Sequence, residues 1–395
     1  MHDDSPPPFP SGRGTHSGAL LQFGRSRADL LQWALQTGDP LADAAAEELH
    51  AHGRSARASL DAGIRNGLAS LTDPPPAVEA LLRHCETFPD FADDALIDSG
   101  SLPFYTMPPP VHMVSLSAGA LIRVYESPSI SRVLATTGRL IEGADRRIRE
   151  TGKWVSTAML PGGLRPGEPG YVATLQVRML HAQMRRLARS RGFDEAVHGV
   201  PINQVDLART WLDFTYTSMR AEEIMGFSLT SRETRSLYTY WWLLAHLLGI
   251  DARLVQGVST NEQAARVDAL IQYATGPLVD DSVALASATL NSIADLLHTG
   301  LRLPEPLGSR GLASLARMFH GDAVADELGI ARSRAADTVI AAAIDRVRSS
   351  RSALRAEPTK WSAHIDDNLA AARRSVQASD AALYENTNAE HRSAS

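Results

Sequence analysis

Residues 171–191 read YVATLQVRMLHAQMRRLARSR. Val177, Leu180, Met184 and Ala188 recur at helical spacing and form one apolar stripe. His181 lies at the edge of that stripe, and Arg178, Arg185 and Arg189 cluster beyond it. The same period continues outward on both sides, whereas alternating valine-rich runs are nearly absent. The expected fold class is therefore all-α.

Upstream, residues 140–159 read LIEGADRRIRETGKWVSTAM. Ile141, Ala144, Ile148, Thr151 and Val155 share a stripe. Arg147 and Thr151, four apart, share a face at its flank. Between the two segments lies PGGLRPGEPGY, residues 161–171, which reads as a long ordered loop or a lid. It lacks the spacing of a phosphate loop. Downstream, Asn203-Gln204 precedes a helix expected from Val205 to Met219, with Thr210 and Phe214 four apart. Residues 236–255, SLYTYWWLLAHLLGIDARLV, form a heavily apolar helix ended by Gly249.

Residues 1–25, with Pro6-Pro7-Pro8 and scattered glycine and serine, read as a flexible arm. Residues 26–350 read as a single all-α domain, its proline breaks being loops because helical patterning resumes on both sides. Residues 351–395 read as a C-terminal helix and a frayed tail. No internal repeat is present.

The chain of 395 residues carries a formal charge of −6 and one cysteine, Cys85. That excludes an internal disulfide, a cysteine-rich zinc site and a covalent c-type haem. The acidic balance argues against nucleic acid as a partner. No transmembrane stretch and no export signal are visible, so a cytoplasmic location is expected, with secretion open if the N-terminus is truncated.

Two readings of the residues stand side by side. A histidine on an apolar helix face, with Leu180 and Met184 to pack a porphyrin and an arginine, Arg178 or Arg185, to meet a propionate, suits an axial haem ligand. The alternative is a satisfied core histidine, with the arginines a solvated face. Arg147 and Thr151 read equally as a snorkelling arginine and a core threonine. His246 is a rival ligand but reads as core. Glu47-x-x-His50 is half of a di-iron signature and lacks its second half. Cys85 reads as a structural thiol.

Taken in order, RRIRETGKWV, PGGLRPGEPGYVATLQVRMLHAQMRR, GVPINQVDLARTWLDF and YTYWWLLAHLLGID resemble the latex clearing proteins and their relatives, the MpaB-type oxygenases, over about residues 105–260. The resemblance implies a globin-like helical core with additional helices, holding one haem b whose iron is ligated by His181. It implies distal roles for Arg147 and Thr151, the threonine standing thirty residues before that histidine. It also implies a distal carboxylate, for which Glu142 is the candidate, with Glu126 next and Glu150 disfavoured by helix angle. Glu150 stands where some members have a lysine. The implied reaction is O₂-dependent cleavage of a C=C bond in a hydrophobic isoprenoid, giving carbonyls. The alternatives are a haem oxygenase for a small intracellular lipid or terpenoid, a non-catalytic haem or O₂ binder, and a cofactor-free helical interaction protein. The oligomeric state is open.

Overall fold

A computed structural model describes residues 8–136, 144–301 and 305–378. Among the described residues every regular element is helical, and the all-α expectation is met. None of these helices is long and apolar enough to cross a membrane.

The site is organised by one antiparallel helix pair, Ala144–Ala158 and Pro169–Ser190. The glycine-rich run between them is a fastened connector. Arg165 pairs with Asp94 and Asp98 at 2.7 and 2.8 Å. The Tyr171 amide donates to the Gly163 carbonyl at 2.8 Å. A Cβ on Gly170 would lie 2.6 Å from the Gly163 oxygen and 2.9 Å from the Ala158 Cα. Bare backbone there lets the two helices meet at Ala158 and Gly170.

Four residues from that meeting point on each helix, Trp154 Nε1 donates to Thr174 Oγ1 at 3.1 Å and locks the register. Arg147 and His181 are each eleven residues away from it. At 1.5 Å rise per residue they stand level with one another, about 16 Å from the closed end of the pair. Gly170→Val is expected to prise the pair apart there. We expect a loss of about 1–3 kcal/mol, read as a lower urea midpoint.

Two further helices close over the pair. Gln204–Leu212 starts at Asn203, whose side chain accepts from the Val205 and Asp206 amides. Ser231–Leu247 starts with a capping box between Thr230 and Glu233. Tyr240 donates its hydroxyl to the Ala158 carbonyl at 2.6 Å, and Trp211 Nε1 donates to the Trp241 carbonyl at 2.8 Å. The helix expected from Val205 to Met219 is not continuous. Asp213–Thr217 is a π-helical stretch, packed against a second one at Ser115–Leu121.

The prolines open helices rather than only ending them. Pro76 and Pro109 begin Pro76–Glu86 and Pro109–Val114, where a missing N–H costs no hydrogen bond.

The two expected boundaries, after residues 25 and 350, both fall within described helices. The chain expected as an arm to residue 25 is anchored from Pro8 onward in the described residues. Arg13, almost wholly buried, donates to the His198 and Ala274 carbonyls and pairs with Asp206 at 2.6 Å. Its helix His16–Phe23 follows directly. At the other end, Arg334–Arg355 runs straight through residue 350. Arg351 lies between the rings of Phe227 and Trp361, at 5.4 and 4.8 Å. Asn368 on Pro358–Ala378 donates to the Tyr105 carbonyl at 3.0 Å. The C-terminal helices therefore belong to the same body. Residues 1–7 of the arm and 379–395 of the tail lie outside the described residues.

Candidate functional site

Level with Arg147 and His181 the helices part around a cavity of ≈ 240 Å³. The Pro169–Ser190 helix presents Val177, Leu180, His181 and Met184 to it. The Ala144–Ala158 helix presents Arg147, Glu150, Thr151 and Trp154. Each set has the i, i+3, i+4, i+7 spacing of one helix face. Trp211, Phe214 and Trp241 close one side, Trp154 standing 5.9 Å from Phe214 and 6.3 Å from Trp241. Ile130, Val133 and Leu134 line it from the Pro128–Thr136 helix.

His181 is enclosed by protein except where it meets the cavity, and its Nδ1 is buried without a hydrogen-bond partner. Burial, helped by the positive charge of Arg185, pushes its pKa down to about 4. At neutral pH the imidazole is therefore uncharged and offers a lone pair, as a metal ligand must. Arg147 places its guanidinium carbon 5.9 Å from the Tyr125 ring centre.

Arg178 and Arg185, expected to contact a cofactor, are placed elsewhere. They stand about a quarter-turn round the helix from the cavity face, toward Pro40–His52. Arg178 makes a two-pronged pair with Asp39 at 2.7 and 3.0 Å. Arg185 pairs with Asp43 at 2.6 Å and donates to the Ile202 carbonyl at 3.1 Å. Nor are they a solvated face, since both are almost wholly buried. Met184 does line the cavity.

The carboxylates also sort themselves. Glu142 lies outside the described residues. Glu126 does not line the cavity; it is taken up by His320 at 3.1 Å and Arg209 at 3.5 Å. Glu150, which helix angle disfavoured, does line it, with Arg146 2.6 Å away. Asp206, which sequence reasoning missed, is a second cavity carboxylate. Arg13 holds one of its oxygens and Ser129 donates to the other at 2.9 Å. Tyr125 and Trp154 were missed as well. The signal for Trp154 was its place seven residues after Arg147.

The rival His246 is satisfied. Its Nε2 donates to the His84 carbonyl at 3.2 Å, and its ring lies 4.3 Å from that of His84. These two line open depressions of ≈ 640 and ≈ 570 Å³. Neither depression contains His181, Arg147 or Thr151. Cys85 is buried, and burial raises its thiol to about 11, so it is not a thiolate nucleophile. Glu47 pairs with Arg186 at 3.4 Å, and among the described residues no three His, Cys, Asp or Glu side chains form a metal-binding group.

These features define a class: an all-α protein with an apolar cavity where one neutral histidine meets an arginine and a threonine. The family model described as ER-bound oxygenase mpaB/B′ and rubber oxygenase, catalytic domain, matches residues 111–356, and the chain belongs to that oxygenase family. The rubber oxygenase of Streptomyces sp. (strain K30) is 23% identical over 293 residues, covering 72% of this chain and 68% of that protein. A solved structure of latex clearing protein LCP in the closed state shares the fold at a TM-score of 0.67 and 20% identity, over 85% of this chain and 91% of the other.

Proposed function

We propose that this chain is a haem b-dependent oxygenase that cleaves C=C bonds of a hydrophobic isoprenoid of the polyisoprene type. The observation that carries it is the neutral, unpartnered His181 in a cavity that also presents Arg147 and Thr151. A lone imidazole holds iron firmly only where the remaining ligands arrive with the ion, as in a porphyrin. The residues present fit such a group: one free ring nitrogen, and Met184, Leu180 and the tryptophan-rich side as apolar packing. When bound, the haem supplies the activation of O₂.

His181 then serves as the iron ligand. Arg147 and Thr151 contribute N–H and O–H donors that stabilise negative charge developing in the cavity. The apolar walls hold an alkene and exclude water. Glu150 and Asp206 are the described carboxylates within the cavity lining that can hold a proton from the substrate, and Glu142 stays a candidate on resemblance alone.

Absorption spectroscopy of protein expressed with a haem precursor tests the cofactor. A Soret band assigned to haem b by pyridine is expected, followed by formation of carbonyl ends from polyisoprene. A spectrum without a Soret band, even on added haemin, sinks the reading. Arg147→Ala is expected to retain haem while turnover falls by about 10²–10³. Turnover equal to the wild type would remove Arg147 from the distal role.

A further inference from the structure

Behind the Tyr125 and Phe214 side of the cavity lies an ionic network that the proposed reaction does not use. Arg123 pairs with Asp213 at 2.8 Å and with Asp268 at 2.8 Å. Arg209 lies 3.7 Å from Asp213 and 3.5 Å from Glu126. His320, the last residue of the Glu305–His320 helix, completes it. Its Nε2 donates to the Ala118 carbonyl at 2.8 Å, while its Nδ1 meets the Glu126 carboxyl at 3.1 Å.

Charge counting gives this contact its meaning. Two arginines face three carboxylates. Because Nε2 already donates, an unprotonated Nδ1 would set a lone pair against a carboxylate. One proton therefore lies in the Nδ1···Oε contact, whichever atom carries it, and makes the pair neutral. With it the whole network is neutral. Without it, a net negative charge falls on a network in which Glu126, Asp213, Arg209 and the His320 ring are buried and Arg123 and Asp268 are half-buried.

The network touches the cavity through its neighbours in the chain. Val124 and Tyr125 lie between Arg123 and Glu126. Thr210 and Phe214 follow Arg209 and Asp213. All four of these neighbours line the cavity.

We infer that His320 and Glu126 are positioning residues: their shared proton balances the network and thereby holds the Tyr125 and Phe214 wall in place. Burial raises the Asp213 carboxyl to about 6 against both arginines, so this region tolerates added negative charge poorly.

A contact that needs a proton to form weakens as protons become scarce. Stability is expected to fall as pH rises, with one proton setting a limit of about tenfold in the unfolding equilibrium per pH unit. Glu126→Gln needs no such proton, because its amide can donate to a neutral Nδ1. Urea unfolding of the full chain from about pH 6 to pH 9 should show a steeper fall in the wild type than in Glu126→Gln, which leaves the His112–Glu222 contact in place. His320→Gln should be less stable at neutral pH, on the order of a hundredfold, and the double variant should recover most of the loss.

Near-ultraviolet circular dichroism of the tryptophan-rich wall should change with pH in the wild type and stay constant in Glu126→Gln. A slope as steep in Glu126→Gln as in the wild type would place the proton elsewhere, on Asp213 or in the like contact of His112 between Glu222 and the Phe104 carbonyl, and overturn the inference. So would a double variant no better than His320→Gln, or a wild-type aromatic signal indifferent to pH. If His320→Gln does not fold, the comparison of wild type with Glu126→Gln decides alone.

Discussion

His181→Ala is expected to reduce haem retention by at least about a hundredfold while the folded apoprotein survives. Outer-shell changes alone typically cost 10–100-fold in metal affinity, and this substitution removes the ligand itself. Little else depends on the ring. Its Nδ1 forms no hydrogen bond, and its other surface borders an existing cavity. The variant should therefore unfold close to the wild-type midpoint while showing no Soret band. Added imidazole, diffusing into the enlarged cavity, should restore part of the absorbance. Full haem content in the variant would move the ligand elsewhere, with His246 next to test. Loss of folding along with haem would instead make His181 a core residue. Rescue by imidazole separates the two.

The placement of His181 against Arg147 follows from backbone geometry rather than from contact between the two. The Ala158–Gly170 approach closes the hairpin, and the Trp154–Thr174 hydrogen bond fixes its register. Equal chain lengths then bring both residues level. Spacing in sequence becomes spacing in space because the connector is fastened at Arg165.

Much of this was legible in the residues. Helical period located both helices of the pair, and the stripe through Val177, Leu180 and Met184 is the cavity face. What stayed hidden depends on long-range pairing. The anions of Arg178 and Arg185 come from a helix more than a hundred residues away, so three arginines on one helix resembled either a solvated face or a propionate clamp. The N-terminal stretch has a flexible composition, yet Arg13 reaches Asp206, 193 residues away, and fastens it to the body. Glu150 was disfavoured by helix angle, which measures direction from one axis and takes no account of where neighbouring helices open a space. The π-helical stretches have no periodic signature of their own. Ile202 carries one of two described positive φ angles outside glycine, at +51°, in a turn whose carbonyl Arg185 holds. Such strain persists where surroundings over-determine it, and here it places a cavity residue.

Asp39→Asn is expected to destabilise the apoprotein by about 3–5 kcal/mol, because it leaves the Arg178 guanidinium buried without its anion. The substitution keeps size and an acceptor oxygen, so the cap on the Ala42 amide can survive and the loss reports the charge. Room for adjustment is small. Gly249, at φ +73°, brings its backbone so near that a Cβ would lie 2.2 Å from Asp39 Oδ2. Urea unfolding without haem is the deciding measurement. If Arg178 instead served a bound carboxylate, Asp39→Asn would leave the apoprotein unchanged, and Arg178→Ala would weaken haem retention alone. A large loss in the apoprotein makes Arg178 the bolt that fixes the histidine helix to Pro40–His52. The candidate site then depends on this pair for the position of His181, not for contact with anything in the cavity.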